Sequence, residues 1–424
     1  MPKTEPIVLL ATTERWYPTA RLAVALANAG CTVDAVCPSN HPIAKTTVAR
    51  RMHNYDGLMP LRSLSKAIAD AQPDFVVPGD DLATRHLHDL YHRERNKAEK
   101  NSIPNLIQRS LGNSTEFAVM FSRARFIKVA SEAGVRVPRT EVIETIDGLR
   151  SWIERNGFPS VLKANGTSGG DGVRVVHNTR EAELAFRKLQ APPLAARAIK
   201  RAIVDRDMTL LRPALFRQGR TVNAQQFVAG REATSAVMSA NGKVLASLHF
   251  EVLNKVRDTG HATVVRRIDN SEMADASERI VARLKLSGLH GFDFMLESKT
   301  GHAFLIEINP RATQVGHLSL GPGHDLPAAL YQAVTGELVS TPEAVTENDA
   351  IALFPQEWLR DPSSAFLKTA YHDVPWSEPA LVEHCVRKLR PPATRHISQQ
   401  QPSRVSALRA TPGCVGTMVD YKAD

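Results

Sequence analysis

Residues 291–309 read GFDFMLESKTGHAFLIEIN and contain the pattern that decides the fold. Two apolar runs flank Ser-Lys-Thr-Gly, which predicts a β-hairpin that turns near Thr300. With that turn, Asp293 lies directly opposite Glu307, and their Cβ atoms are about 4.5 to 5.5 Å apart. Asn309 shares the face of Glu307 because side chains alternate along a strand. The hairpin therefore predicts three oxygen-bearing side chains on one face.

The opposite face of this hairpin is apolar and is expected to pack into a core. It carries Phe292, Phe294, Leu296, Phe304, Ile306 and Ile308. Two carboxylates and an amide are the hard donors that Mg²⁺ or Mn²⁺ prefers, so we expect Asp293, Glu307 and Asn309 to bind a divalent metal. The alternative is a solvated sheet face with ordinary charges. Against it, Asn is unfavourable in a strand, and Pro310 and Arg311 follow, which indicates a site at a strand end.

A second hairpin is predicted upstream, where residues 157–163 form a strand that ends on Lys163 and residues 173–176 form the return strand. The loop between them reads ANGTSGGDG at 164–172. Its glycines let the backbone expose N–H groups without obstruction by Cβ atoms, which suits a polyanion such as triphosphate. This is not a Walker loop, because no Gly-Lys-Ser/Thr ending opens a helix. The alternative interpretation is a plain flexible turn.

The first hundred residues alternate apolar runs with amphipathic stretches, which predicts a parallel α/β unit. The predicted strands are 7–11, 32–36 and 75–77, and the predicted first helix is 19–29. Residues 12–15 are Thr-Thr-Glu-Arg, so no glycine fingerprint for a dinucleotide follows the first strand, and a redox Rossmann domain is disfavoured. The loops at 12–15 and 79–81 should face a ligand, although helix capping by Asp80 and Asp81 is equally expected.

A chain of 424 residues can form two to four packed units. A helix is predicted over 116–133, ended by Gly134, after a break near 110–114. We expect the following organisation: an N-terminal α/β domain at 1–114, a second domain at 115–340, a C-terminal packing segment at 341–390 and a disordered basic tail at 391–424. Residues 385–424 contain seven Lys or Arg and two Asp, and so supply +5 of the formal charge of +9.

Composition disfavours several classes of protein. No apolar run approaches the roughly 18 to 20 residues of a membrane span, and the run at 7–11 is too short for a signal peptide, so we expect a cytoplasmic protein. The basic tail has no interleaved aromatic residues, so we do not expect a nucleic-acid partner. The cysteines match no metal knuckle and are predicted to be reduced thiols: Cys31, Cys37, Cys385 and Cys414.

Together the two hairpins resemble the ATP-grasp superfamily, which includes D-alanine:D-alanine ligase, biotin carboxylase and the large subunit of carbamoyl phosphate synthetase. The resemblance covers residues 115–336, and the N-terminal unit is similar to the domain that precedes the ATP-grasp fold in those enzymes. It implies an α/β protein, namely an α+β ATP-grasp fold after a parallel α/β domain, with a mostly irregular C-terminal extension. It also implies ATP and Mg²⁺ or Mn²⁺ as cofactors.

Several positions match the nucleotide-binding residues of the superfamily. Lys163 matches the phosphate-binding lysine, and Glu232 matches the carboxylate that holds the ribose hydroxyls. Arg123 stands where many members have a lysine, and Arg also stays charged and can hold phosphate with two donors. The glycine loop and the adenine hinge are matched by Gly166, Ser168, Gly169, Gly170, Gln225, Gln226, Phe227, Val228, Ala229 and Gly230.

The metal motif of the superfamily is Glu-x-Asn, preceded by an acidic or amide residue one hairpin earlier. It matches Asp293, Glu307 and Asn309. Arg311 matches the arginine that steadies phosphate or substrate in the carbamoyl phosphate synthetase branch. Lys255 aligns with a second-loop lysine of D-alanine:D-alanine ligase. The resemblance thus implies Arg311 and Lys255 as catalytic residues.

The resemblance implies a ligase that uses ATP to join a small-molecule carboxylate to an amine, or to a related nucleophile, through an acyl phosphate. The oligomeric state is open, and a homodimer is one possibility because dimers are common in the superfamily. Two alternatives remain. One is a nucleotide-binding regulatory protein without turnover, and the other is a bicarbonate-using carboxylase or carbamoyl-phosphate-type enzyme. No biotinyl-acceptor motif or glutaminase segment is visible in the chain.

His317 and His324 follow the metal strand and could assist the nucleophile or line the acid pocket, although such histidines are more often structural. The acid and the amine cannot be identified from the sequence. Their contacts are expected from the N-terminal loops and from the variable stretch 192–220.

Overall fold

The structure is a computed structural model that describes residues 5–96, 102–167, 170, 172–192, 215–216, 219–258, 260–337 and 343–388. Within these residues, the strands are β1 Ile7–Ala11, β2 Thr32–Cys37, β3 Ala49–Asn54, β4 Phe75–Pro78, β5 Thr140–Ile143, β6 Ser160–Ala164, β7 Val173–Val176, β8 Val222–Gln226, β9 Gly230–Ala240, β10 Lys243–Lys255, β11 Ala262–Arg267, β12 Gly288–Glu297, β13 Ala303–Asn309, β14 Ala350–Leu353 and β15 Tyr371–Asp373. The helices are α1 Tyr17–Asn28, α2 Pro60–Ala71, α3 Asp81–Glu94, α4 Ser102–Leu111, α5 Phe117–Met120, α6 Arg123–Glu132, α7 Ile146–Asn156, α8 Thr179–Gln190, α9 Ser271–Leu284, α10 Leu326–Thr335, α11 Gln356–Arg360, α12 Phe366–Thr369 and α13 Pro379–Lys388. No described helix is both long and apolar enough to cross a membrane.

The N-terminal strands form a parallel sheet in the order β3-β2-β1-β4. This confirms the predicted parallel α/β unit. β2 and β4 each extend one residue beyond the prediction, and α1 begins at Tyr17 rather than at residue 19. The earlier start places Pro18 in the first turn, where its missing N–H has no intrahelical partner to lose.

A second sheet is antiparallel, in the order β5-β8-β6-β7. Helices α7 and α8 cover it, and their side chains form a small core of their own around Trp152 and Phe186, which are both buried. Leu162 from β6 and Val176 from β7 complete that core. The glycine hairpin is therefore built on a separately packed unit.

The third sheet is the largest, with the order β13-β12-β9-β10-β11-β14-β15. All its neighbours pair antiparallel except β14 and β15, which pair parallel. It shares its cores with the N-terminal sheet, since Leu9 packs in one cluster with Phe292 and Ile280. Val8 packs in another cluster with Phe250. The metal hairpin thus belongs to the main body of the protein.

The predicted helix over 116–133 is wrong in one respect, because the structure breaks it between α5 and α6. Ser122 adopts an extended conformation with φ −116° and ψ 103°. As a result Arg123 stands at the beginning of α6. Gly134 ends this helix at φ +76°, as predicted.

The segment from β14 to α13 packs on the body, as its apolar content predicts. Phe354, Trp358 and Val386 form a core with Val264 of β11. Beneath it, the buried carboxylate of Glu357 accepts hydrogen bonds from Arg360, Thr263 and Ser364. The predicted tail at 391–424 lies outside the described residues, and the domain boundaries remain predictions.

Candidate functional site

The metal hairpin has the predicted pairing at its centre, where Asp293 of β12 lies opposite Glu307 of β13. The prediction of which residues form the apolar face is partly wrong. Phe294 pairs with Leu305, so Ile306 is the extra residue of a β-bulge. One inserted residue reverses the alternation of faces. Leu305 is therefore fully buried, together with Ala303, whereas Phe304 and Ile306 are only partly buried.

The carboxylate of Asp293 is held by two neighbours. Its Oδ1 accepts a hydrogen bond from Thr234 Oγ1 at 2.9 Å, and its Oδ2 accepts one from Asn309 Nδ2 at 2.9 Å. Burial and the nearby Glu307 carboxylate raise the pKa of Asp293 to about 6, against the effect of both hydrogen bonds. Because burial is the larger cause, the raised pKa marks a desolvated carboxylate, whose charge a divalent cation would stabilise.

The donor set fits such a cation, because two carboxylates and one amide are hard oxygen ligands. The described part of the chain contains no group of three or more His, Cys, Asp or Glu residues that could hold a metal. The proposed set contains two acids, Asp293 and Glu307, with Asn309 as the third member. The remaining ligands would have to come from phosphate oxygens and water, as is usual for Mg²⁺.

Lys163 is the penultimate residue of β6, which leads into the glycine loop, and only 5% of the residue is exposed. Burial lowers the pKa of its ammonium group to about 8, while Glu307 and Asp293 oppose that shift. Arg123 adds to the lowering. These electrostatic interactions mean that the glycine hairpin and the metal hairpin face each other across one site.

Arg123 connects the two hairpins directly. Its Nη2 donates to Glu307 Oε1 at 2.8 Å and to the carbonyl oxygen of Thr167 at 3.2 Å. Its Nη1 donates to the carbonyl oxygen of Ala164. The sequence indicated Arg123 as a phosphate cation, but it gave no sign of this bridge. A metal that binds Glu307 would compete with Arg123 for the same carboxylate.

The glycine loop turns through two residues with positive φ, Gly166 at +71° and Gly170 at +79°. No atom of the described residues lies within 4 Å of where a Cβ of Gly166 would stand. Thr167 Oγ1 donates to the carbonyl oxygen of Ala164 at 2.8 Å and closes the turn at its base. Ser168 and Gly169 lie outside the described residues.

The predicted adenine hinge lies between β8, which ends at Gln226, and β9, which begins at Gly230. A Cβ on Gly230 would stand 2.0 Å from the carbonyl oxygen of Leu296, so only glycine fits there. Of the other hinge residues, Val228 is buried and Phe227 is partly buried.

Glu232, predicted to hold the ribose, accepts a hydrogen bond from Lys255 Nζ at 2.7 Å. Lys255 also donates to the carbonyl oxygen of Asp258. The structure therefore joins a predicted cofactor-binding residue and a predicted catalytic residue in one ion pair. With Glu232 as its partner, Lys255 lies beside a residue predicted to bind the nucleotide.

Arg311 lies between the metal strand and the N-terminal unit. Its Nε donates to Asp81 Oδ1 at 3.1 Å, and its guanidinium carbon lies 5.4 Å from the centre of the Trp16 ring. Asp80 caps α3 through Ala83 N and also holds Thr12 and Thr13 by their hydroxyl groups. The capping alternative for Asp80 is thus confirmed.

The two histidines after the metal strand have different surroundings. His324 Nδ1 contacts the carbonyl oxygen of Ser247 at 2.7 Å, which is a structural role. His317 Nε2 contacts Asp373 Oδ2 at 2.7 Å. Cys31, Cys37 and Cys385 are buried, no disulfide forms among the described residues, and the reduced thiols remain a prediction.

Residues 122–319 match the family model described as "Carbamoyl-phosphate synthase L chain, ATP binding domain". This range contains Arg123, Lys163 and the three proposed metal ligands. This segment of the chain is an ATP-grasp domain. Within this superfamily, the chain is 26% identical over 202 residues to the carbamoyl phosphate synthase large chain of Pseudomonas putida. It is 24% identical over 161 residues to acetyl-CoA carboxylase 2 of Oryza sativa subsp. japonica.

These matches cover 47% and 38% of the ATP-grasp chain but only 18% and 6% of the two relatives. Solved structures extend the likeness to most of the chain. An N5-carboxyaminoimidazole ribonucleotide synthetase in complex with ADP has a TM-score of 0.57 at 16% identity, covering 80% of each chain. Biotin carboxylase from Campylobacter jejuni has a TM-score of 0.57 at 14% identity, covering 81% of this chain and 74% of that one. At such identities the likeness shows the fold.

A third similar structure is the biotin carboxylase domain of 2-oxoglutarate carboxylase from Hydrogenobacter thermophilus, with a TM-score of 0.56 at 14% identity. It covers 79% of the ATP-grasp chain and 71% of that domain. That domain is described as a dimer in complex with MgADP, ADP and bicarbonate.

Proposed function

We propose that this ATP-grasp protein is a ligase that uses ATP to join a small-molecule carboxylate to an amine, or to a related nucleophile, through an acyl phosphate. One observation carries the proposal. Lys163 and Arg123 face Asp293 and Glu307 across the space between two separately packed hairpins. Two cations opposite a carboxylate pair form an arrangement suited to a metal-bound triphosphate.

Each residue would act by binding and orienting. Lys163 keeps most of its charge at neutral pH, because its pKa is about 8, and it would hold phosphate oxygens in a site shielded from water. Arg123 would move its Nη2 donor from Glu307 to phosphate. Asp293, Glu307 and Asn309 would hold Mg²⁺ or Mn²⁺, which when bound neutralises phosphate charge. Glu232 would bind the ribose hydroxyls, and Gln226 to Val228 would line the adenine.

In the proposed reaction, a carboxylate oxygen of the acid attacks the γ-phosphorus of ATP, and ADP leaves. The nucleophile then attacks the acyl carbon, the new C–N bond forms, and inorganic phosphate leaves with the electron pair of the broken C–O bond. Arg311 and Lys255 would steady the transferring group and the substrate carboxylate. Positioning and charge stabilisation account for most of the rate enhancement in such phosphoryl transfers.

The second candidate is an enzyme that activates bicarbonate. The bicarbonate complex of the Hydrogenobacter thermophilus domain favours it, because bicarbonate is itself a carboxylate-like oxygen nucleophile. A regulatory protein without turnover is less favoured, since the proposed phosphate cations and the metal ligands are all present in one site. By analogy with the same domain, we also propose a homodimer, which a molar mass measured in solution would test.

The deciding experiment measures ADP release with Mg²⁺ and a panel of acids and amines, supplied singly and in pairs. We suggest α-amino acids, aliphatic carboxylic acids, ammonium and bicarbonate as the first panel. Dependence on both an acid and an amine supports the ligase, and dependence on bicarbonate supports the second candidate. The Glu307→Gln variant, purified in parallel, shows whether the measured ADP comes from this site. Absence of turnover with every pair would favour the regulatory alternative.

A further inference from the structure

Asp373, at the end of β15, joins two distant parts of the chain. Its Oδ2 contacts His317 Nε2 at 2.7 Å, and its Oδ1 accepts a hydrogen bond from Arg21 Nη2. Arg21 Nη1 also donates to the backbone carbonyl oxygen of Asp373 at 2.7 Å. The Asp373 side chain is only 2% exposed and that of His317 only 6%. The three residues therefore form one buried cluster.

The cluster fixes the tautomer of His317. Burial opposes ionisation of Asp373, but Arg21 and His317 outweigh it and hold the pKa of this carboxyl below its usual range. A carboxylate can only accept, so the His317 nitrogen that faces it carries the proton. In the neutral ring, Nδ1 then presents a lone pair. That Nδ1 is buried and has no hydrogen-bond partner among the residues that the structure describes.

Nδ1 of His317 is not the only such atom on the loop after β13. The hydroxyl groups of Thr313 and Ser319 are also buried there without a partner in the described structure. Buried polar groups of folded proteins are nearly always hydrogen-bonded. Such atoms also occur elsewhere in the described structure, but three of them lie within residues 313–319, and we take this loop as a place for a polar ligand. The same loop begins at Arg311, which lies over Trp16. Trp16 immediately precedes α1, and α1 carries Arg21.

From this geometry we propose that His317 accepts the proton of the amine as it attacks the acyl phosphate, and that Asp373 and Arg21 position it. The inference rests on the proposed function and specifies its second step. The amine nitrogen forms the C–N bond, the C–O bond to phosphorus breaks, and phosphate leaves with that electron pair. The proton released by nitrogen goes to Nδ1. Asp373 then stabilises the imidazolium through the Nε2–H group.

Other titratable groups near the cluster do not compete for this proton at neutral pH. His372, the neighbour of Asp373, has its pKa lowered to about 4 by burial and stays uncharged. Glu357 and Arg21 are the other charged groups that act on His372. Arg21 keeps its charge at any physiological pH. Because the attacking nitrogen must release a proton to His317, the nucleophile must carry a transferable proton, which primary and secondary amines have and a tertiary amine lacks.

The test separates the two steps with a His317→Gln variant. Gln can place an amide N–H near the position of Nε2 and keep the bond to Asp373, but it has no basic nitrogen. Acyl phosphate formation is measured with ATP, the acid found in the panel and hydroxylamine, which traps the acyl group as a hydroxamate. We expect hydroxamate formation within about twofold of the parent, and amide formation lower by about 100-fold in kcat, the typical contribution of a general base.

Added imidazole should restore part of the amide formation by the variant, which a merely structural role would not allow. The matched control is His324→Gln, because His324 lies on the same stretch but has its Nδ1 bonded to Ser247; both rates should stay near the parent's. Equal loss of hydroxamate and amide, or amide formation within about threefold of the parent, overturns the inference. If the parent itself forms no hydroxamate with any acid, the proposed function fails first and the inference fails with it.

Discussion

The glycine hairpin and the metal hairpin bring opposite charges to one site, but they are supported differently. Phe292, Phe294 and Leu305 anchor the metal hairpin in the large core that the N-terminal sheet also enters. The glycine hairpin packs on the small core around Trp152, and its Val175 is 39% exposed. The carboxylates are thus fixed by the body of the protein, and the lysine by a separate unit. Arg123 bonds to both.

The largest effect on turnover should come from a substitution in the metal hairpin, which is anchored in the larger core. Glu307→Gln keeps the shape of the side chain and removes one charge, so we expect Mg²⁺-dependent turnover to fall by about 1,000-fold, comparable to losing a key charge-stabilising group. The midpoint of thermal unfolding should change by only about 3 °C, since the Glu307 side chain is 29% exposed to solvent. Steady-state ADP release and calorimetry measure the two quantities.

Glu297→Gln is the matched control for this change, because Glu297 is the last residue of β12 and, within the described part of the chain, its side chain is bonded to Thr300 of the adjoining turn. It should leave turnover unchanged. Full activity of Glu307→Gln at an unchanged Mg²⁺ requirement would rule out the metal site.

The glycine hairpin is tested with Lys163→Met, because Met fills most of the volume of the buried lysine side chain without a charge. We expect the KM for ATP to rise by about 100-fold, since a desolvated cation contributes strongly to binding phosphate. Lys188→Met, on α8 of the same unit, should leave the KM unchanged. A parent-like KM in nucleotide titrations of Lys163→Met would show that the lysine does not face phosphate.

Arg123→Lys tests the connection between the two hairpins. Lysine keeps the charge but cannot hold Glu307, Ala164 and Thr167 with a planar set of donors. We expect about a tenfold weaker ATP affinity, together with faster amide hydrogen exchange in the glycine loop of the nucleotide-free protein. Exchange measured by mass spectrometry would contradict the bridge if the loop were protected equally in parent and variant.

A smaller effect is expected from pH. Because the pKa of Lys163 is lowered to about 8, its ammonium group in the nucleotide-free protein loses its positive charge as pH rises through 8. The same group in the unfolded chain keeps its charge up to a pH of about 10.4. ATP affinity should therefore fall by several-fold, up to about tenfold, between pH 7 and pH 9.5. Calorimetric titration of Lys163→Met should show no such fall. An equal pH dependence in both proteins would assign the effect to another group.

The smallest effect is predicted for removal of residues 392–424, which contain no proposed site residue. Turnover should stay within about twofold of the full chain. Loss of activity in a folded, truncated protein would place the basic tail at the site.

The sequence predicted those features that depend on local pattern. The pairing of Asp293 with Glu307 followed from strand alternation and one turn, and Lys163 followed from a strand that ends on a glycine loop. The bulge at Ile306 was missed because one extra residue leaves the composition of the strand unchanged. The break before Arg123 was missed for a similar reason, since no Pro or Gly marks it.

The remaining differences arise from contacts between residues far apart in the chain. Arg123 and Glu307 are 184 residues apart, and no periodic pattern connects them. The pair of Lys255 and Glu232 was missed because each residue was assigned a separate role from a separate motif. Such ion pairs depend on how whole sheets pack, which a single sequence does not display.

The salt bridge between Arg21 and Asp373 also has a consequence for how the protein is made. Its partners are 352 residues apart, so at about 5 to 20 residues per second a ribosome delivers Asp373 roughly 20 to 70 seconds after Arg21. The carboxylate of Glu378 accepts hydrogen bonds from the backbone N–H and the hydroxyl group of Thr47, and Glu378 is synthesised still later. The N-terminal sheet can therefore form early in translation, but its contacts with this segment must wait until residues 373–378 have been synthesised.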